Sequence, residues 1–166
     1  FSNKKRAPIK INIIISNNPK AKGLDFAKKY KIKSKIFNFK NQKKAEIRIL
    51  KYLKKNSIDF ICLAGFMKIL SKEFIKNFGK KIINIHPSLL PKYKGLNTHE
   101  RVIKKKERYS GCTVHYVSHK VDSGKIILQK KIKILKKDTP DTLAKKVLKQ
   151  EHIIFPKAVK RVFSTR

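Results

Sequence analysis

Lys81-Ile-Ile-Asn-Ile-His86 is a β-branched run stopped by Pro87, whose nitrogen has no hydrogen to give to a strand ladder. Side chains alternate along a strand, so Asn84 and His86 share one face at its carboxyl end. In open α/β sheets that end is where ligands collect. An amide and an imidazole side by side there can grip a carbonyl and supply a proton to it.

Working outward, the flanking segments alternate between the two periodicities. Ile9-Lys-Ile-Asn-Ile-Ile-Ile-Ser16 reads as a strand ended by Asn17-Asn18-Pro19, and residues 21–30 carry Leu24, Ala27 and Tyr30 at helical spacing. A short strand is expected over 34–39. A helix follows over 43–56, with Ile47, Ile49, Leu50 and Leu53 on its apolar stripe. Asp59-Phe-Ile-Cys-Leu-Ala64 is continuously apolar, the pattern of a parallel strand covered on both faces, which would bury Cys62. Ser71 precedes a helix expected to reach Asn77. The resulting β-α-β-α-β-α-β order predicts a doubly wound α/β fold with a mostly parallel, twisted sheet and helices on both faces. Beyond Pro91 the pattern predicts a helix over 98–106, strands over 112–117 and 126–135, and a last helix. Asp138 or Thr139 would cap that helix, Pro140 would open it, and it would run to about Phe163 with a kink at Pro156. No repeat or linker interrupts the chain, so one domain over residues 1–166 is expected.

Composition narrows the function classes. The 166 residues are 40% hydrophobic, enough for a sizeable core, and no apolar run approaches the roughly 18 residues of a membrane span. Phe1-Ser-Asn-Lys-Lys-Arg6 is basic but lacks the apolar stretch of a secretory signal. Cys62 and Cys112 share no motif spacing and read as two buried thiols in a reducing compartment, hence a cytoplasmic protein. The net charge of +34 invites a nucleic-acid reading. The lysines, however, are spread over every segment, outnumber the arginines and lack interleaved aromatics, so no specific nucleic-acid surface is expected. His115 and His119 stand four apart, but His115 lies in a strand and no third ligand is evident, so no metal is expected.

Further stretches complete a pattern. Leu63-Ala-Gly-Phe-Met-Lys-Ile-Leu70, Asn84-Ile-His-Pro-Ser-Leu-Leu-Pro91, Gly95-Leu-Asn-Thr-His99, Gly111-Cys-Thr-Val-His-Tyr-Val117, Val121-Asp-Ser-Gly124 and Gln150-Glu-His152 follow one another in this order. Together they resemble phosphoribosylglycinamide formyltransferases, the folate-dependent transformylases of purine synthesis, from the first strand to Pro156. The resemblance implies a Rossmann-like formyltransferase fold. It also implies formyl transfer from 10-formyltetrahydrofolate to glycinamide ribonucleotide. By position, His86 is similar to the family's catalytic histidine, Asn84 to its partner at the formyl oxygen, and Asp122 to the carboxylate beside the histidine. Met67, Lys68, Ile69 and Leu70 match the segment that lines the folate pocket, with Asn84 beside it. Pro87 and Glu151 match positions at the ribonucleotide substrate.

These residue types suit the reaction. An amine attacking a formyl carbon drives negative charge onto the formyl oxygen, and an amide N–H with an imidazolium stabilises that charge as it develops. Free imidazole is mostly uncharged at neutral pH; a carboxylate at Asp122 would favour the charged ring and hold its orientation. The chain also departs from the family. Its first residues align after the strand and glycine-rich phosphate loop with which the family normally begins. Gln42 stands where an arginine often holds the folate, and Gln42 or Lys43 could substitute. Two other readings stay open: a formyltetrahydrofolate enzyme with another acceptor or with none, as in a deformylase, and a non-catalytic folate- or polyanion-binding remnant.

Overall fold

The computed structural model describes residues 9–164; the basic run at 1–6 lies outside them. Chain contacts divide these residues into two compact units, one of residues up to Asp59 with Lys72–Gly79, the other of Phe60–Ser71 with Lys80 onward.

In the first unit, strand β1 (Ile13–Ser16) pairs in parallel with β2 (Lys33–Ile36), with Ile13 opposite Lys33. Helix α1 (Gly23–Lys29) connects them, turning Ala27 inward. Helix α2 (Gln42–Lys55) starts where the Asn41 side chain accepts the Lys44 N–H at 2.9 Å, relieving one of the unpaired donors of the first turn. Its stripe is narrower than the apolar spacing suggested: Ala45, Ile49 and Leu53 are buried, whereas Ile47 is 57% exposed. Helix α3 (Lys72–Phe78) buries Phe74. Gln42, opening α2, donates to Glu46 at 2.9 Å.

The second unit holds a four-stranded sheet in the order β3-β4-β5-β6. Strands β3 (Phe60–Leu63) and β4 (Lys81–His86) are parallel. Strands β5 (Tyr109–Tyr116) and β6 (Ile126–Lys133) then add antiparallel pairings. The α/β class and the element order are as the sequence predicts. Within this sheet one pairing is parallel and two are antiparallel, so it is mixed rather than mostly parallel. The reason lies after His86: the chain returns along β5 and folds straight back into β6, and such a hairpin can only pair antiparallel. Cys62 is exposed, against expectation. Among the described residues its strand ends the four-stranded order and pairs with β4 alone. Cys112 in central β5 is buried, and burial followed by the nearby Glu151 carboxylate pushes its thiol up to about 12.

The core of this unit lies between the sheet and two helices, α4 (Thr98–Lys104) and α5 (Pro140–Ser164). Ile83, Ile85, Cys112 and Val114 meet Val102, Leu143, Val147, Ile154, Ala158 and Val162, and Phe60 sets its ring edge against Phe163 at 4.8 Å. On β6, Ile132 packs on this core while Lys131 and Lys133 face solvent, as their alternation predicts. Helix α5 opens as expected: Thr139 Oγ1 accepts the Thr142 N–H at 3.2 Å and Pro140 takes the first position. Pro156 lies inside the helix without ending it. Asp138, just before the cap, accepts from Lys146 Nζ at 2.6 and 2.7 Å and from the Leu135 N–H at 2.8 Å.

Leu143 is fully buried at the centre of this cluster, so Leu143→Ala should lower unfolding free energy by about 2–5 kcal/mol in urea denaturation. The Lys146 and Leu135 hydrogen bonds hold the Asp138 carboxyl below the usual aspartate value. Its stabilising contribution is therefore complete above a pH of about 3.9 and is lost as pH falls through the lower folded-state value. Asp138→Asn should melt below wild type at neutral pH, and thermal melts should show the two converging as pH falls below the usual aspartate value.

Candidate active site

Strand β4 carries the site. Asn84 and His86 project to one side of it, and antiparallel pairing sets His115 directly opposite Asn84 and Thr113 opposite His86. Thr113 is fully buried and anchors the segment after the strand. Its hydroxyl donates to the Ser88 carbonyl at 2.6 Å and accepts from the Leu90 N–H at 3.1 Å and from Gln129 Nε2 at 2.8 Å. This fixes the chain as it leaves His86 and turns it toward the loop at 92–97.

Asp122 collects the side chains into a cluster. Its Oδ2 accepts the Gly95 N–H at 2.9 Å and lies 3.3 Å from His86 Nδ1, while Oδ1 lies 3.6 Å from His115 Nε2. Burial opposes ionisation of this carboxyl. The His115 hydrogen bond, the Gly95 N–H and the facing charges of the two histidines outweigh that cost, and its pKa sits below the usual value. Asp122 is thus a carboxylate at neutral pH. His86, 6% exposed, donates from Nε2 to the Tyr93 carbonyl at 2.8 Å. Acceptors therefore face both of its nitrogens, and only the doubly protonated ring donates to both. His115 donates from Nδ1 to the Tyr116 carbonyl at 2.8 Å, which turns Nε2 toward the Asn84 amide at 3.4 Å.

The cluster borders a cleft of about 530 Å³, within the usual range for small-molecule sites. Gly65 to Leu70 form one wall, with Met67 and Ile69 68% and 64% exposed. Asn84, His86, Pro87 and Asp122 stand at its polar end, and Gly95 to Glu100 and the start of α5 border the rest. An apolar wall facing two hydrogen-bond donors and a carboxylate can hold a flat, largely apolar molecule and polarise a carbonyl at its end.

The chain from residue 2 to 159 matches the formyl transferase family model, nearly its whole length. This chain belongs to that family. It is 43% identical over 156 residues to the phosphoribosylglycinamide formyltransferase of Haemophilus influenzae, a match covering 92% of this chain and 74% of that protein. It is 44% identical over 157 residues to the trifunctional purine biosynthetic protein adenosine-3 of Bos taurus, covering 93% of this chain but 16% of that protein. The chain thus spans about a sixth of such trifunctional relatives. The solved phosphoribosylglycinamide formyltransferase of Brucella melitensis superposes with a TM-score of 0.89 at 38% identity, over 98% of this chain and 85% of that one. The fold is the Rossmann-like one of these formyltransferases.

The residues expected from sequence converge unevenly. Asn84, His86 and Asp122 meet at one end of the cleft, Met67, Lys68, Ile69 and Leu70 line its wall, and Pro87 lines it beside His86. Glu151 is not among the lining residues; it is partly buried on α5, where burial raises its carboxyl pKa against the pull of His152. His119 is exposed and stands apart from the cluster. Two residues join the site that composition and spacing did not assign to it. His115 enters because strand pairing sets it opposite Asn84, and its alternation with Thr113 along β5 is the signal that could have found it. His99, in the first turn of α4, lines the cleft with a buried Nδ1 that has no hydrogen-bond partner among the described residues. Burial, then the charge of His86, hold His99 below the ordinary histidine value, so it is neutral at pH 7.

The Asp122-Ser-Gly124 turn is shaped by contact as well as by chemistry: a Cβ at Gly124 would overlap the Tyr116 carbonyl oxygen. Gly124→Ala should cost about 1–3 kcal/mol in urea denaturation through overpacking. It should also move the ring resonances of His86 and His115 as Asp122 is displaced.

Proposed function

We propose that this chain transfers a formyl group from 10-formyltetrahydrofolate to the amine of glycinamide ribonucleotide. The observation that carries the reading is the convergence of Asn84, His86 and the ionised Asp122 on one end of a cleft whose wall is the 65–70 segment. The names of the relatives support the same acceptor. The wall residues and the Asn84 amide would hold the folate, which supplies the formyl group when bound. Asn84 Nδ2 donates to the formyl oxygen as it gains charge, His86 holds a proton beside it, and Asp122 stabilises the charged ring and fixes its orientation. His115 holds Asn84 and Asp122 in register from the opposite strand.

The family match runs across both compact units, which supports reading them as one formyltransferase domain. Among the described residues no helix is long and apolar enough to cross a membrane. We read the protein as a cytoplasmic enzyme acting on small molecules, with its excess charge drawing polyanions non-specifically at low salt.

The test is formyl transfer followed by folate absorbance while glycinamide ribonucleotide is titrated. Saturable, ribonucleotide-dependent turnover is expected, and His86→Ala, Asn84→Ala or Asp122→Ala should each lower kcat at least about a hundredfold with the fold retained by circular dichroism. Folate consumption that ignores the ribonucleotide would instead mark a deformylase.

A further inference from the structure

A second set of polar ties surrounds the loop at 92–97, apart from the cluster at Asp122. Three of its residues, Tyr93, Gly95 and Asn97, have φ of 57°, 77° and 55°, a left-handed conformation costly for the two that bear a Cβ. Such a loop keeps its shape only if its surroundings impose it. Here they do. Arg101 Nη1 donates to the Lys94 carbonyl at 2.7 Å and to the Leu96 carbonyl at 3.2 Å, and its guanidinium lies 5.4 Å from the centre of the Tyr93 ring. Glu107 Oε1 accepts from the Tyr93 hydroxyl at 2.9 Å and from Lys92 Nζ at 3.1 Å. The Lys92 hydrogen bond, then that from Tyr93, holds Glu107 below the usual carboxylate pKa, so it is charged at neutral pH.

The loop so held contacts the site through its backbone. Its Tyr93 carbonyl receives the His86 Nε2–H at 2.8 Å, and its Gly95 N–H donates to Asp122 at 2.9 Å. Asp122 lines the cleft, whereas Tyr93 is not among the lining residues. The two nitrogens of His86 are therefore unlike: Nε2 faces protein backbone, and Nδ1 faces the carboxylate at the cleft.

We propose that Arg101 and Glu107 are positioning residues for His86. By gripping the loop they hold the Tyr93 carbonyl at 2.8 Å from Nε2, closer than Asp122 Oδ2 at 3.3 Å from Nδ1, and the shorter hydrogen bond keeps the neutral ring's proton on Nε2. Nδ1, beside Asp122, is then the nitrogen that takes up and gives back a proton. The Tyr93 carbonyl acts as the orienting acceptor on the far side of the ring, a function that side-chain substitution can reach only through its anchors. This inference rests on the reading of His86 as the proton-holding group, but its test does not depend on turnover.

Long-range proton–nitrogen spectra of the full chain, at a pH where His86 is neutral, report which nitrogen carries the proton. A single Nε2–H tautomer is expected for the wild type. A mixture is expected for Arg101→Ala and for Glu107→Gln, with Arg101→Lys, which retains a donor for the Lys94 carbonyl, restoring most of the Nε2–H form. In the formyl-transfer assay Arg101→Ala should lower kcat at least about tenfold through misplacement of the ring, leaving the folate KM within about twofold. An Nδ1–H tautomer in the wild type, or an unchanged tautomer in both Arg101→Ala and Glu107→Gln, would overturn the proposal. A wild type without turnover but with the expected tautomers would count against the assigned reaction and leave the clamp standing.

Discussion

The Asp122 carboxylate sits where β4, β5 and the 92–97 loop come together, and each contributes a group to it: His86, His115 and the Gly95 N–H. Ionised carboxylates form hydrogen bonds worth about 1.5–3 kcal/mol each, and a buried carboxylate missing its donors costs more than any one of them returns. The register of β4 against β5 and the course of the loop are therefore coupled. A slip of one residue in the strand pairing would turn His115 to the other face and leave Asp122 short of a donor. The same contacts that make the local structure unique set the carboxylate against the His86 ring.

Thr113 does for the backbone what Asp122 does for the side chains. Its single hydroxyl joins the segment after His86 to β5 and, through Gln129, to β6. Gln129 also donates to the Leu90 carbonyl at 2.9 Å, so a strand whose outward face is largely lysine still holds the inner turn in place. Close packing enforces this arrangement, because a Cβ at Gly111 would run into the Lys130 carbonyl and the Leu89 side chain. The strand that brings His115 to the cleft thus belongs to an antiparallel hairpin, which tolerates one solvated face in a way that a fully parallel sheet does not.

Much of this was legible in the residues. The β-branched run ending at Pro87 gave β4 its full extent, and the alternation of Asn84 with His86 gave their shared face. The Asp122 turn and the wall at 67–70 followed from resemblance, and the fold brings them to one cleft. What failed to show was whatever depends on which segments become neighbours. Cys62 reads as buried from its apolar flanks, but exposure depends on what lies beside a strand, and the one-dimensional pattern carries no such information. Spacing along the chain set His115 only beside His119, a pairing that its place in a strand argued against, whereas the contact that matters is set across the ladder. Arg101 and Glu107 act through hydrogen bonds to main-chain carbonyls and a neighbouring hydroxyl, and no residue pattern advertises a backbone acceptor.

The left-handed residues around the site also bear on how this protein could be stabilised. Tyr93, Asn97 and Asp122 all hold positive φ without being glycine, an arrangement that raises the energy of the folded chain. Glycine at Tyr93 or Asn97 would relieve that strain, yet at Tyr93 it would also delete the ring and hydroxyl that fasten the loop. Stability and preorganisation pull in opposite directions at these positions. Selection for heat resistance alone would drift toward a looser loop, and selection for turnover would keep the strained one.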